Sequence, residues 1–508
     1  MPGLTDNLYL LTPEFALAGL AFLVFAIDLF LPEERKELLG WLSILGLLGL
    51  IVLSLGLLWG QEADLYGGLL AVDDYSLFFK IFFLGIGVFI ILSSIDYVKQ
   101  HLSSPGEFYG LLLFSVLGMN LMAQSRELLT AYISLELLSF SLYVMVAYAL
   151  RDPRSNEASL KYIIIGAFSS AILLYGVSMV YSSLGVTRFV AISAALSSLT
   201  EVSPALWAGL ALIVVGLGFK LAAVPFHMWA PDAYEGAPMP VTAYLAIASK
   251  AAAFALVVRL FAEGLVPAAD RWDQWQIILA VLAALTMLVG NLVALAQRNI
   301  KRLMAYSSIG HVGFILAGVA ALASDSLLGS NGVIFYLVGY SVTNMVAFAA
   351  FISFFNLTGK EDIPDFAGLA DRQPFLAAAI AISLFSLGGL PIFAGFTIKF
   401  YLFTAVANEG FLWLAALAIF TSLISLYYYL QVIRQMYIES GAAGGASAEQ
   451  HGHGAQEDVP AIEALPRPSS AILVVLGLGL LAVLWLGVYP APLLEAVEAA
   501  SQAIIPGT

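Results

Sequence analysis

Fourteen long, mainly apolar stretches follow one another along the chain, at 10–31, 38–59, 75–95, 107–125, 127–150, 159–184, 204–226, 238–262, 274–296, 303–323, 332–356, 374–407, 411–437 and 469–489. A helix needs about 20 such residues to cross the hydrocarbon core of a bilayer. Backbone in lipid must satisfy its own hydrogen bonds, and a barrel would show short alternating strands instead. The pattern therefore predicts an all-α integral membrane protein with 14 transmembrane helices. The first 30 residues lack the basic start and small-residue cleavage site of a signal peptide, so 10–31 is read as the first span. Two stretches look broken. Span 12 is too long for one straight crossing and contains Gly388-Gly-Leu-Pro391, which removes a backbone donor and loosens the helix. Span 7 carries Gly216, Gly218 and Pro225.

The charges at the ends of these spans suggest an orientation. With the N-terminus outside, 13 of the 21 basic residues fall at inner ends and four, Arg126, Arg188, Arg259 and Arg271, at outer ends. Such a bias places the basic side in the cytoplasm and both termini outside, in a bacterial-type inner membrane. The remaining four are Lys80, Lys220, Lys250 and Lys399, all within spans. Lys80, near the outer end of span 3, is expected to snorkel to the surface, and Glu14 and Asp28, near the ends of span 1, to be solvated. The longest break, 439–468, reads as a flexible Gly/Ala-rich cytoplasmic linker, with a metal role for His451 and His453 as the alternative.

Composition narrows the chemistry. Of 508 residues 61% are hydrophobic and 11% charged, with a net charge of −14. Soluble proteins carry about twice that charged fraction, and a net negative chain offers no footprint for nucleic acid. No cysteine is present, which excludes thiolate-held iron–sulfur clusters. Only one of five histidines, His311, lies deep in a span, too few for a bis-histidine haem, and no P-loop is present. Electron carriage and ATP hydrolysis are poor readings of this chain.

An internal repeat is visible. Leu129-Thr-Ala-Tyr-Ile-Ser134 resembles Leu303-Met-Ala-Tyr-Ser-Ser308 at an offset of 174, and Tyr162 meets Tyr336 at the same offset. Lys220 and Lys399 correspond more loosely. Spans 4–8 and 9–13 then form two five-helix repeats. Five is odd, so the second copy is inverted, with broken helices 7 and 12, an arrangement found in transporters. The chain divides into 1–106, 107–262, 274–438, the linker 439–468, and 469–508.

Ionisable residues at bilayer depth are costly and mark ion pathways. Glu136 lies midway along span 5, with Tyr132, Ser139 and Tyr143 on its face. Lys220 lies deep in span 7, Lys250 midway along span 8 beside Ala251–Ala253, and Lys399 after the break in span 12. His311 follows Ser307 and Ser308 by one turn, and Ser341, Thr343 and Asn344 of span 11 are further partners. Burial disfavours a charged amine, and a nearby carboxylate restores it. Glu136 and Lys220 are the natural pair, and Lys220, Lys250 and Lys399 read as stations of a proton wire through His311, hydroxyls and water. His227, at the inner end of span 7, is either an intake relay or a capping residue. Asp232 and Glu235 either funnel protons or hold a turn.

Five motifs carry a family resemblance: Ser134-Leu-Glu-Leu-Leu138, Glu157-Ala-Ser-Leu-Lys-Tyr162, Gly218-Phe-Lys-Leu-Ala-Ala-Val-Pro-Phe-His227, Pro231-Asp-Ala-Tyr-Glu-Gly-Ala-Pro238 and Lys301-Arg-Leu-Met-Ala-Tyr-Ser-Ser-Ile-Gly-His311. Over nearly its whole length the chain resembles the antiporter-like membrane subunits of respiratory complex I, most closely the subunit N type of NADH–quinone oxidoreductase, whose relatives include cation/proton antiporter subunits. The resemblance implies the fourteen-helix fold, one proton channel, and roles for Glu136, Lys220, Lys250 and Lys399 in it. It also implies flavin, iron–sulfur clusters and quinone in partner subunits and none here, with neighbouring antiporter-like and small membrane-arm subunits, the bilayer and protons as partners. Only about 20 residues follow span 14, which sets aside the family's terminal subunit with its lateral helix. Lys399 sets aside the middle one, which usually has glutamate there. The alternatives are a subunit of a multi-chain sodium/proton antiporter and a non-pumping structural subunit.

Overall fold

The computed structural model describes residues 7–199, 201–269, 274–439 and 465–505. Its helices are, in chain order, α1 (Thr12–Asp28), α2 (Glu37–Leu58), α3 (Asp74–His101), α4 (Pro105–Gln124), α5 (Leu128–Val146), α6 (Pro153–Leu184), α7 (Phe189–Ser198), α8 (Pro204–Leu221), α9 (Trp229–Gly236), α10 (Met239–Ala268), α11 (Gln274–Ala294), α12 (Ile300–Ala320), α13 (Leu328–Thr358), α14 (Pro374–Gly388), α15 (Ala394–Asn408), α16 (Leu412–Tyr437), α17 (Ser470–Val488) and α18 (Ala491–Gln502). Among the described residues, 13 helices are long and apolar enough to cross a membrane. The stretch read as span 12 is not one of them, because it is split into α14 and α15. Most of the linker, with His451 and His453, and Arg271 lie outside the described residues.

The ends of the helices follow local chemistry. Asp73 and Ser76 form a reciprocal cap that starts α3. Asp152 caps α6, which begins six residues earlier than its apolar pattern. The helix read to 226 stops at Leu221: Ala222 turns left-handed at φ 61°, and Pro225 cannot continue a helix. A short antiparallel hairpin, β1 (Ala63–Leu65) with β2 (Leu70–Val72), and the helices α7 and α18 carry no pattern long enough to announce themselves.

Close helix approach is achieved with glycine. A Cβ on Gly290 would lie 2.4 Å from the Gly310 amide nitrogen, and one on Gly176 would lie 2.8 Å from the Gly209 carbonyl, so α11 lies against α12 and α6 against α8 backbone to backbone. Helices α10, α12 and α13 are almost wholly buried, while α1, α2, α6, α16 and α17 turn apolar side chains outward. The helices that carry Lys250 and His311 are thus the innermost ones.

Two clusters of ionisable side chains are buried, and the first corrects the expectations for Lys80 and Glu14. Lys80 does not snorkel: it is fully buried, 2.6 Å from Glu14, which is itself buried and accepts from Gln124 at 2.6 Å. The pairing removes the isolated charge that would otherwise force both side chains towards water. Arg259 is also fully buried, held by both oxygens of Asp73 at 2.7 and 2.8 Å and by Glu263 at 3.1 Å, with Arg126 joining Glu263 to Asp64. Burial pushes the Asp73 carboxyl up, and the Arg259 guanidinium more than offsets this and holds it below the usual range. This network closes one end of the molecule. The opposite end gathers Lys161, Asp232, Glu235, Lys301, Arg302 and Glu361.

Candidate functional site: buried amines at helix breaks

Lys220, Lys250, His311 and Lys399 are each less than 5% exposed. Each sits where the backbone departs from a regular helix or where hydroxyls converge. Lys220 occupies the last turn of α8, beside carbonyls freed by the break, where the helix dipole favours a cation. Its Nζ donates to Ser139 of α5 at 2.9 Å. The Phe219 carbonyl accepts from the Trp229 indole at 2.9 Å, and the Val224 amide donates to Thr286 at 3.0 Å, so the break is tied from both sides.

Glu136 is half-buried on α5 and accepts from Ser170 of α6 at 2.8 Å. Ser170 in turn accepts from Tyr132. Glu136 and Lys220 form no ion pair within 4.0 Å. Ser139, one turn beyond Glu136 on the same helix, takes the ammonium's hydrogen bond.

Lys250 follows a single π-helical turn, Leu245–Ser249, inside α10. Such turns re-aim the next side chain and are frequent at functional sites. Its Nζ donates to Ser308 of α12 at 2.5 Å and lies over the Tyr234 ring. Ser308 also accepts from Tyr340 of α13 at 2.8 Å. The Ala251–Ala253 run packs fully buried beside the amine.

His311 does not use the serines one turn back. Its Nδ1 meets the Tyr336 hydroxyl at 2.6 Å and its Nε2 the Tyr429 hydroxyl at 3.4 Å, and Tyr429 bonds Ser307. Among the span 11 candidates, Thr343 bonds Ser386, Asn344 donates to the Tyr340 carbonyl, and the Ser341 hydroxyl has no partner.

Lys399 lies on α15, and its Nζ donates to the Leu387 carbonyl at 2.6 Å and to Ser422 of α16 at 2.9 Å. The C-terminal end of α14 thus points its free carbonyls at the ammonium. Glycine makes this possible. Gly389 is left-handed, and a Cβ there would lie 3.2 Å from the Lys399 side chain; a Cβ on Gly395 would lie 1.7 Å from the Ser386 carbonyl. Lys220 precedes its break and Lys399 follows its own, so the two lysines aligned in sequence stand on opposite sides of their breaks.

His227 is half-buried in the loop after α8 and touches none of the other five. Burial pushes its imidazole below the ordinary histidine range. Asp232 and Glu235 form a clamp: Arg302 reaches them at 2.9 and 2.7 Å, and Lys161 reaches Asp232 at 2.8 Å. Sequence reasoning missed the hydroxyl partners Ser170, Tyr336, Tyr340, Ser422 and Tyr429. Of these only Tyr336 left a trace, through its repeat partner Tyr162.

Residues 125–425 match the family of NADH:quinone oxidoreductase/Mrp antiporter transmembrane subunits. The chain is 41% identical to NADH-quinone oxidoreductase subunit N of Heliobacterium modesticaldum, over 98% of this chain and 100% of that one. A chain of respiratory complex I from Thermus thermophilus superposes with TM-score 0.76 at 31% identity, covering 96% of this chain and 100% of its own. A chain of the Mrp complex from Dietzia shares the fold, with TM-score 0.82 at 20% identity over 98% of both chains. The chain belongs to the NADH:quinone oxidoreductase/Mrp antiporter membrane-subunit family and, within it, to the subunit N proteins of NADH-quinone oxidoreductase.

Proposed function

We propose that this chain, as a proton-translocating membrane-arm subunit of a complex I-type NADH-quinone oxidoreductase, moves protons along Glu136, Lys220, Lys250, His311 and Lys399. The observation that carries the reading is the burial of three amines and an imidazole among hydroxyls and helix-end carbonyls, with no carboxylate within ion-pair distance of them among the described residues. A permanent charge so placed would be costly, whereas a group that gains and loses a proton bears the cost only in one state. Serine and tyrosine hydroxyls both donate and accept, so Ser308 with Tyr340, and Tyr429 with Ser307, are able to pass a proton on by reorienting.

Coupling is electrostatic. A unit charge about 6 Å away, at an effective dielectric near 20, changes the free energy of an ammonium by about 3 kcal/mol, roughly two decades in proton affinity. Movement or neutralisation of Glu136 on its Ser170 hydrogen bond is, in this reading, what loads or unloads Lys220. Moving one charge against the membrane potential costs about 2.3 kcal/mol per 100 mV, which is within that range. Energy comes from quinone reduction in partner subunits, which hold the flavin, clusters and quinone site.

The thirteen-to-four distribution of basic residues supports uptake from the cytoplasm of a bacterial cell, with both termini outside, fourteen crossings with the α14–α15 pair counted as one, and two inverted repeats. In this reading His227, whose Nδ1 has no hydrogen-bond partner, takes up protons at the cytoplasmic end. Glu136 is only half-buried at bilayer depth, and its carboxylate needs cover from lipid, which supports a neighbouring membrane-arm subunit packing against α5.

Replacement of Lys250 by Met or Glu136 by Gln in the assembled complex, reconstituted in proteoliposomes, tests the reading. Proton translocation per quinone reduced falls in both variants and is indifferent to sodium. Unchanged translocation with intact assembly would favour a structural subunit, and sodium dependence would favour the antiporter alternative.

A further inference from the structure

At the end of the N-terminal helices that bears Lys36 and Lys99, a cavity of about 200 Å³ opens between the α1–α2 turn, α3 and α4. Its polar wall holds Glu33, Glu34, Glu37, Lys36 and Lys99, and the rest is mainly aliphatic. Both amines are already taken: Lys36 by Glu33 at 2.9 Å and Asp28 at 3.3 Å, Lys99 by Glu37 at 2.6 Å. Glu34 has no ion pair among the described residues. Tyr109 of α4 also lines the cavity; it is fully buried, and its hydroxyl has no hydrogen-bond partner. The wall therefore offers acceptors and negative charge beyond what its own lysines use. A small cation with several N–H donors fits it.

A second feature restricts the size and polarity of that cation. Leu38, Trp41, Leu45, Leu48 and Val52 are all exposed and recur every three or four residues, which makes one continuous apolar stripe down α2. Glu34 precedes Leu38 by one turn and so stands at the head of the stripe. Trp41 near the helix end is the residue type that favours the headgroup level. Arg35, exposed and without an ion pair among the described residues, is the neighbouring cation for a phosphate.

We propose that this cavity binds the headgroup of a primary-amine phospholipid such as phosphatidylethanolamine. The ammonium enters among Glu34, Tyr109 and the neighbouring carboxylates, and an acyl chain lies along the stripe of α2. The site discriminates by hydrogen bonding rather than charge. Phosphatidylcholine carries the same positive charge but has no N–H to give, so the buried Tyr109 hydroxyl would stay unpaired.

The test uses the intact complex in nanodiscs of phosphatidylglycerol and phosphatidylcholine doped with a phosphatidylethanolamine that bears a photoreactive acyl chain. A parallel sample carries the same chain on phosphatidylcholine. Cross-linked peptides of this subunit are mapped by mass spectrometry. Labelling of 38–52 by the ethanolamine lipid is expected to exceed that by the choline lipid about tenfold, one charge-assisted hydrogen bond's worth of affinity. The excess should fall to near parity in Glu34→Gln and in Tyr109→Phe; two variants are used so that a failure of one to assemble leaves the other decisive. Equal labelling by the two lipids in the unmodified complex overturns the proposal, as does an excess that survives in the variants. Loss of the excess in the presence of spermidine, together with spermidine cross-linking to the same peptides, would assign a soluble amine instead and also overturn it.

Discussion

Replacement of Ser308 by alanine removes one oxygen from the centre of the proposed pathway. That hydroxyl accepts from Lys250 at 2.5 Å and from Tyr340 at 2.8 Å, and it is buried. A hydrogen bond from a charged donor is worth about 1.5–3 kcal/mol and a neutral one about 1. The variant leaves both donors without the oxygen they share. A net penalty of about 2 kcal/mol falls on the state in which Lys250 holds its proton in place, a factor of roughly 30 in any step that passes through that state. If the step becomes limiting, translocation slows by up to that factor. The assay is acidification of proteoliposomes by reconstituted complex, normalised to assembled subunits, with Ser308→Thr as the variant that keeps the hydroxyl. Ser308→Ala is expected to fall at least tenfold below Ser308→Thr. Wild-type translocation by Ser308→Ala would refute the reasoning, because it would show that Lys250 does not depend on its one side-chain hydrogen bond.

Other perturbations separate architecture from chemistry. Arg259→Gln leaves Asp73 without its guanidinium and Glu263 held by Arg126 alone, and is expected to destabilise by about 3–5 kcal/mol, read as a loss of assembled complex from membranes; Arg259→Gln with Asp73→Asn should recover part of it. Gly395→Ala drives a Cβ to within 1.7 Å of the Ser386 carbonyl, so the α14–α15 break must open, and translocation per assembled complex is expected to collapse. At the clamp, burial pushes the Asp232 carboxyl up, but Lys161 and Arg302 outweigh it and hold the carboxyl below its ordinary range. A depressed carboxyl stabilises above the ordinary carboxylate range, near pH 4, and loses that contribution as pH falls through its folded value. The difference in thermal stability between the native complex and Asp232→Asn should be constant from about pH 5 to 8 and shrink below about 4.

The transmembrane framework was legible because lipid imposes one dominant constraint, a long apolar run for every crossing. The breaks were legible for a related reason: Gly388-Gly-Leu-Pro391 and Pro225 are incompatible with uninterrupted helix. Glu136, Lys220, Lys250, Lys399 and His311 stood out because charge in oil needs a cause. What escaped detection depends on contacts between distant segments. Nothing local to Tyr336 or Tyr429 says that both hydroxyls reach His311, and nothing near Lys80 says that Glu14, on another helix, neutralises it. The π-turn before Lys250 is a phase slip within an apolar run, invisible where every face is buried. The hairpin at 63–72 is too short to show alternation. The partner of the Lys220 ammonium was not legible either: side-chain spacing along α5 brings Ser139, not the Glu136 carboxylate, against the end of α8.

The central claim is that the buried amines belong to one hydrated proton path, and the hydrogen bonds seen here leave gaps between Ser139 and Lys250, between Tyr340 and His311, and between Tyr429 and Lys399. Electron cryo-microscopy of the assembled complex, at a resolution that shows ordered water, measures this directly. Water molecules bridging Lys220 to Lys250, Tyr340 to His311 and His311 to Lys399 are the expected result. Dry, close-packed side chains filling these intervals would contradict the account.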